Sequence, residues 1–208
     1  MKALFINGSP HVDGCTKRAL LEVEKVLKAH GIETDWIEMG TKDLRGCIGC
    51  YYCFEHHKCV FNDIVNESAP KLADADGVII GTPVYYAGPN GQLHSFLDRL
   101  FFSTISTVNK TMKVGATVVS SRRAGSTSAF DDINKYFSIS SMPIASSTYW
   151  NEVHGRTKEQ VEQDLEGLQT MRNLGNNIAF LLKAIETQKE KEGGLPLQER
   201  QSRTDFIR

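Results

Sequence analysis

The feature that most constrains the fold is the first seventeen residues, where an apolar run stops at a small-residue turn and a helical pattern begins. Ala3, Leu4, Phe5 and Ile6 form a short buried-strand signature that ends at Asn7-Gly8-Ser9-Pro10. A polar turn follows to Cys15, and from Thr16 the pattern is helical. A strand, turn and helix start in this order leave the first helical N–H groups unpaired and aim the positive end of the helix dipole at the turn. That arrangement suits an anion. The spacing is neither the nucleotide P-loop G-x-x-x-x-G-K-S/T nor G-x-G-x-x-G, because five residues separate Gly8 from Gly14 and Cys15 precedes Thr16. It reads as a loop for one terminal phosphate, with the hydroxyls of Ser9 and Thr16 added to backbone donors. The plainer reading, an ordinary strand–helix connection with Thr16 as N-cap, stands beside it.

The rest of the chain repeats the same alternation. Ala19, Leu20, Val23, Val26 and Leu27 keep helical spacing up to Gly31, and Thr34 to Met39 reads as a second strand. Residues 40–70 break the rhythm with cysteines, two histidines and Tyr51-Tyr52, and a loop that long is either functional or disordered. Its aromatic and cysteine content argues against disorder. Pro70 to Ala75 ends a short helix, and Gly77 to Gly81 is an apolar run of the kind found in central parallel strands. A loop over 82–91, a helix over Gln92–Phe102 and a strand over Lys113–Val119 follow. Then come the polar loop Ser120–Ser126, a helix over Asp131–Phe137, a fifth strand over Met142–Trp150 and one helix over Lys158–Lys191. Gly167 and Gly175 fall inside that last helix, as points of bending or close packing.

Five strands alternating with helices predict a doubly wound α/β fold with a parallel sheet, whose ligands bind outside the carboxyl ends of the strands. The expected organisation is one domain over residues 1–192, with a cysteine loop at 45–61 inserted after the second strand. A polar tail covers 193–208, either disordered or held against a partner subunit. At 208 residues and a net charge of −1, the chain has no global field for nucleic acid or an anionic membrane. No apolar stretch approaches the roughly twenty residues of a membrane span. The N-terminal apolar run, about four residues, is short of the roughly seven in a signal peptide's core. The expectation is a cytoplasmic protein, and four of its five cysteines crowd into thirteen positions, which is unlike a disulfide framework.

Three loops that follow strands should therefore converge. The first would hold a phosphate. The second carries Pro83, Val84, Tyr85 and Tyr86, whose flat faces and backbone groups suit one side of a flat heterocycle. The third adds Ser121, Gly125 and two guanidinium groups, Arg122 and Arg123, able to meet a phosphate bidentately. Each has a plainer role available: the tyrosines as sheet-edge packing, the arginines as solvated surface. Their coincidence at strand ends favours a ligand, and a flat ring joined to one phosphate is the shape of FMN.

Gly8-Ser9-Pro10 with Gly14 and Thr16, then Thr82-Pro83-Val84-Tyr85-Tyr86, Asp98-Arg99, Arg122-Arg123-Ala124-Gly125, Tyr149-Trp150 and the stretch Asp164 to Gly175 resemble the NADPH-dependent FMN reductase branch of the flavodoxin-like superfamily. The resemblance spans roughly residues 2 to 185. It implies FMN phosphate at Ser9 to Thr16, with His11, Gly14 and Cys15 among its contacts. It also implies an isoalloxazine ring between the Pro83–Tyr86 and Ser121–Gly125 loops. Two departures stand out: His11 replaces a frequent Arg or Lys, and Cys15 a frequent Asn.

Cys47, Cys50, Cys53 and Cys59 read C-x2-C-x2-C-x5-C and are similar to the compact motif of the iron–sulfur flavoproteins. Three cysteines at two-residue gaps wrap one face of a cubane and a fourth closes it, giving the four thiolates of a 4Fe–4S cluster. Zinc is a rival, with His56 and His57 inside the motif, although a middle cysteine is then surplus. Free thiols are a third reading. Cys15 stands apart as a buried loop residue or backbone contact. His94, Asp98 and Arg99 share a helix, where an Asp–Arg pair reads as a cap or ion pair, and His30 and His154 have core or surface roles. No Ser/His/Asp arrangement favours hydrolysis.

The function expected is an FMN-dependent oxidoreductase. Reduced nicotinamide (NAD(P)H) or ferredoxin would supply electrons, and a quinone, flavin, electron-poor aromatic or O2 would accept them. The cofactor does the chemistry and no residue is expected to be a general acid. A non-catalytic FMN electron carrier and a zinc or thiol redox sensor on the same fold are the alternatives. The long aromatic loop, the polar tail and the resemblance together imply a homodimer or homotetramer.

Overall fold

The computed structural model describes residues 1–199 together with Ser202, Thr204 and Phe206; the other tail positions, and the expectation for them, lie outside the described residues. The strands are β1 (Lys2–Asn7), β2 (Glu33–Glu38), β3 (Gly77–Tyr85), the two-residue β4 (Gly88–Pro89), β5 (Val114–Ser121) and β6 (Glu152–His154). Apart from β4, they form a parallel sheet in the order β2-β1-β3-β5-β6. This is the flavodoxin-like order, whose ligand crevice lies where the strand order reverses beside β1. Strand β4 folds back antiparallel on the end of β3.

Both faces of the sheet are covered, which is why β1 is apolar without alternation. Ala3, Phe5, Ala116 and Val118 pack under α1 (Cys15–Ala29) and the C-terminal helix, against Leu20, Val23, Met171 and Leu174. Leu4, Ile6, Val78 and Ile80 meet the other layer, α3 (Ile64–Asp74), α4 (Gly91–Ser103) and α5 (Ser126–Ile139). Leu93, Phe96, Leu97 and Leu100 give α4 an i, i+3, i+4, i+7 stripe that is wholly inaccessible, at about 1.5–3 kcal/mol per side chain. A further short helix, α2 (Tyr52–His56), lies within the cysteine segment.

Three sequence expectations shift. Residues 142–150 contribute one bridge, Gly115 with Ile144, and the fifth parallel strand is β6 at 152–154. Pro143 removes a ladder donor, and Ser147 turns its hydroxyl to the Thr170 carbonyl at 2.7 Å. The single helix over 158–191 is two: α6 (Lys158–Val161) and α7 (Leu165–Glu192). Asp164 interrupts it, capping the Gly167 N–H at 2.9 Å while accepting from the His154 N–H at 2.7 Å. Gly175 marks a close helix crossing, since a Cβ there would lie 2.7 Å from Val26 Cβ of α1. Helix α5 begins at Ser126, directly after the polar loop, rather than at Asp131.

Candidate functional site

At the carboxyl end of β1, the chain enters α1 through Gly14, an N-cap with no side-chain bond to offer. Among the described residues, the N–H groups of Cys15, Thr16 and Lys17 meet no protein acceptor, and Arg18 N–H is the first to do so, at 3.0 Å from Gly14 O. Thr16 is therefore not the N-cap. It is the second residue of the helix, and its hydroxyl shares a 2.8 Å hydrogen bond with Ser120 Oγ on β5. One proton serves that bond, so the pair keeps a second free for another acceptor. Ser9 is buried and its Oγ accepts from His11 N–H at 3.1 Å, shaping the turn, while the His11 side chain is exposed. Cys15 is half-buried with its thiol 3.5 Å from Gly155 O, and burial pushes that thiol up.

The second loop is a hairpin. Strand β3 continues through Pro83 and Val84 to Tyr85, then turns at Tyr86 and Ala87 so that Val84 faces Pro89 and Tyr85 faces Gly88. Both turn residues are left-handed, at φ 50° and 60°. That geometry normally selects Asn-Gly, and each ordinary side chain there costs roughly 1–2 kcal/mol. Tyr86 projects fully into solvent. The third loop is pressed on this turn: a Cβ on Gly125 (φ 90°) would lie 2.9 Å from Ala87 Cα and 3.1 Å from Val84 Cγ1. Ser121 Oγ is buried without a partner among the described residues, as are both amide atoms of Asn151 just before β6. Such groups cost about 1–3 kcal/mol each unless something meets them. Arg122 and Arg123 are exposed, and the arginines found in ion pairs among the described residues are Arg18, Arg99 and Arg172. Uncapped N–H groups, a spare hydroxyl proton, two free guanidiniums and an orphaned Ser121 fit a flavin mononucleotide in chemistry and place.

The cysteine segment lies between β2 and α3. Cys47, Cys50, Cys53 and Cys59 border one cavity of about 20 Å3, beside Phe61 and Arg99. None forms a disulfide; Cys47 and Cys50 are exposed, Cys53 and Cys59 half-buried. Burial pushes the Cys53 thiol up, and Cys50, Cys59 and Cys47 add to the effect. Among the described residues, no three His, Cys, Asp or Glu groups converge as a single ion requires, with zinc ligands about 2.3 Å from the metal. His56 is instead stacked on Tyr52, with ring centres 3.9 Å apart, and His57 is exposed. The cavity has room for one water, so the cysteine arm as folded here does not enclose the volume of a cluster. The arm is exposed over residues 47–51 and half-buried at Tyr52 and Cys53, and it turns on left-handed backbone at Gly49, Tyr51 and, beyond α2, His57. The four cysteines that border this cavity are, in number and chemistry, the donor set a cluster takes.

Cys59 is held differently from the other three. Asn66 brackets its backbone, accepting its N–H at 2.9 Å and donating to its carbonyl at 3.0 Å. Its sulfur accepts from Arg99, which also pairs with Asp63. The expected ion pair of Arg99 is thus present, but with Asp63 rather than a helix neighbour. Asp63 and Asn66 were missed from the sequence. Asp63, placed before an apolar helical run, carries an N-cap signal; its partnership 36 residues away carries none. Asp98 and His94 both bond Tyr136, whose hydroxyl is pushed up by burial and by Asp98. His30 meets Asn176 at 2.9 Å, and His154 lies 3.6 Å from Asp164. A cavity of about 1110 Å3 opens beside the cysteine segment, bordered by Cys47, Tyr51, Phe101, Phe102, Tyr136 and Ile139.

The sequence pattern of the NADPH-dependent FMN reductase family matches residues 1–156. Over 195 residues the chain is 34% identical to an iron–sulfur flavoprotein of Methanocaldococcus jannaschii, covering 89% of this chain and 99% of that one. An iron–sulfur flavoprotein of Methanosarcina thermophila is 27% identical over 193 residues, covering 92% and 100%. Among solved structures, the apo form of an NADH:FMN oxidoreductase superposes with a TM-score of 0.62 at 19% identity, over 86% of this chain and 88% of that one. An archaeal flavodoxin gives 0.60 at 17%, over 88% and 99%. These two establish the fold. The matched segment contains the whole parallel sheet, the uncapped start of α1 and the hairpin with its Gly125 contact; the chain belongs to the NADPH-dependent FMN reductase family, alongside the iron–sulfur flavoproteins.

Proposed function

We propose that the protein is an FMN-dependent oxidoreductase of the iron–sulfur flavoprotein kind. The observation that carries this reading is the meeting of three loops at the strand ends, with unpaired helix N–H groups on one side and the Gly125–Ala87 contact on the other. Bound FMN supplies hydride and single-electron transfer. The chain's part is to hold it. The N–H groups of Cys15 to Lys17 and the Thr16–Ser120 hydroxyl pair take the phosphate, with Arg122 and Arg123 within the same loops. The hairpin Pro83–Tyr86 and the Ser121–Gly125 loop would hold the ring's two sides, with the unpartnered Ser121 Oγ available as a hydrogen-bonding group. Cys47, Cys50, Cys53 and Cys59 hold a 4Fe–4S cluster that relays single electrons. The donor is NAD(P)H or a reduced ferredoxin, and the acceptor a quinone, a free flavin, an electron-poor aromatic or O2. A reducing cytoplasm keeps the five thiols available, and the exposed cysteine arm is covered in a homodimer or homotetramer.

The small size of the cysteine cavity favours a second reading, a flavin reductase with free thiols. An anaerobic absorption spectrum with iron and sulfide assays on the same sample separates the two. The expected result is flavin bands with a broad shoulder near roughly 400 nm and about four irons per chain, with the flavin bands bleached by NADH, NADPH or reduced ferredoxin. Flavin bands without iron would leave the free-thiol reductase. A chain that takes up no FMN on reconstitution would overturn the flavin assignment.

A further inference from the structure

Arg99 is 1% exposed in the third turn of α4. A guanidinium so deeply placed is costly unless each donor is met. All five of its N–H groups are used. Nη1 donates to Asp63 Oδ2 at 2.7 Å and to the Arg45 carbonyl at 3.3 Å. Nη2 donates to Asp63 Oδ1 at 2.9 Å and to Cys59 Sγ at 3.3 Å, and Nε donates to the same sulfur at 3.3 Å. Its Cζ lies 4.9 Å from the centre of the Phe61 ring. Asp63 is itself fixed as the N-cap of α3, accepting from Val65 N–H at 3.1 Å.

A purely structural ion pair needs only the Asp63 contacts. Spending two further donors on a sulfur is a poor use of them if the sulfur is a neutral thiol, which accepts weakly. A metal-bound thiolate carries negative charge and accepts well. Among the described residues, Cys59 is the one member of the four-cysteine set whose sulfur receives such donors. Its backbone is also bracketed on both sides by one side chain, Asn66, while Cys47 and Cys50 ride on the exposed arm.

We propose that Arg99 is a positioning residue for the cysteine site: its paired donors lock the Cys59 sulfur in place and withdraw electron density from it, raising the reduction potential of the cluster. The proposal rests on the cluster reading given above. Hydrogen bonds to ligand sulfur stabilise the more negative, reduced state and are a recognised lever on cluster potential. The charge of Asp63 offsets that of Arg99, so the effect comes from N–H groups aimed at one sulfur rather than from a bare cation. The fork geometry matters, and lysine cannot reproduce it.

The test uses the full chain, purified anaerobically with its flavin, as wild type, Arg99→Lys and the double variant Arg99→Gln/Asp63→Asn. The double variant removes both charges together and leaves neither buried alone, so it remains informative if Arg99→Lys does not fold. Midpoint potentials are read by redox titration monitored by electron paramagnetic resonance for the cluster and by absorbance for the flavin. The expected result is a cluster potential shifted to more negative values in both variants, with the flavin potential unmoved. Iron-loaded variants that keep the wild-type cluster potential would overturn the role of Arg99 and leave the cluster reading intact. Wild-type protein that binds flavin but holds no iron or sulfide after reconstitution would sink both.

Discussion

At Gly125 the backbone passes through φ 90° with Ala87 Cα 2.9 Å from where a Cβ would stand. An alanine there meets two penalties, the left-handed conformation and the neighbouring turn, which is already strained at Tyr86 and Ala87. Gly125→Ala is expected to destabilise the fold by about 1–2 kcal/mol and to weaken FMN retention about tenfold or more by prising the two loops apart. Denaturant melts of the apo form and a flavin fluorescence titration check both, and unchanged values in each would show that the loops move independently. The sequence marked Gly125 as a site residue through its place after a strand. It did not mark Ala87, because the contact depends on a hairpin turning without the Asn-Gly signal that announces one.

Between elements, the join of α1 to α7 is electrostatic as well as apolar. Glu22, with its side chain 8% exposed, bonds Arg18 one turn earlier at 2.9 Å and Arg172 of α7 at 2.8 Å. Burial pushes its carboxyl up, but Arg172 and Arg18 together outweigh burial and hold it below the usual carboxylate range. A carboxyl lowered on folding contributes stability that is fully present above its unfolded pKa of about 4.3 and is lost as pH falls through its folded value. The melting temperature should therefore drop between about pH 5 and pH 3. In Glu22→Gln it should start lower at neutral pH and fall less steeply. Parallel pH profiles for the two proteins would remove Glu22 from the explanation. Periodicity showed α6 and α7 as one helix and did not show the break between them. Asp164 ends one and caps the next, and its role is fixed by the His154 N–H on β6, which no local pattern contains.

For the whole molecule, the doubly wound parallel sheet follows from the alternation of apolar strands with helices and was legible, whereas the order of its strands is set by pairings that alternation does not specify. The route of the cysteine segment was not, since its anchors pair residues tens of positions apart: Cys59 and Asp63 with Arg99, Arg45 with Arg99. The segment leaves large apolar side chains outside, among charged ones. Ile48, Tyr51, Phe54 and Val60 are exposed by 61%, 64%, 48% and 43%, a cluster that one chain does not cover. The proposed dimer or tetramer should bury it. Light scattering is expected to give a multiple of the 23.2 kDa chain mass, and Tyr51→Glu with Phe54→Glu should lower it. A monomer at working concentration would refute the assembly.

The five-pronged grip of Arg99 also has a historical meaning. Removing the sulfur of Cys59 alone strands two buried N–H groups, removing Asp63 alone strands a buried cation, and removing Arg99 alone leaves a half-buried carboxylate without its cation. Each single step crosses a valley, so the three positions are expected to be inherited as a block. Descendants that give up the four-cysteine chemistry should shed the arginine and the aspartate with it, while the phosphate loop, which opens the helix layer on the other face of the sheet, drifts on its own schedule.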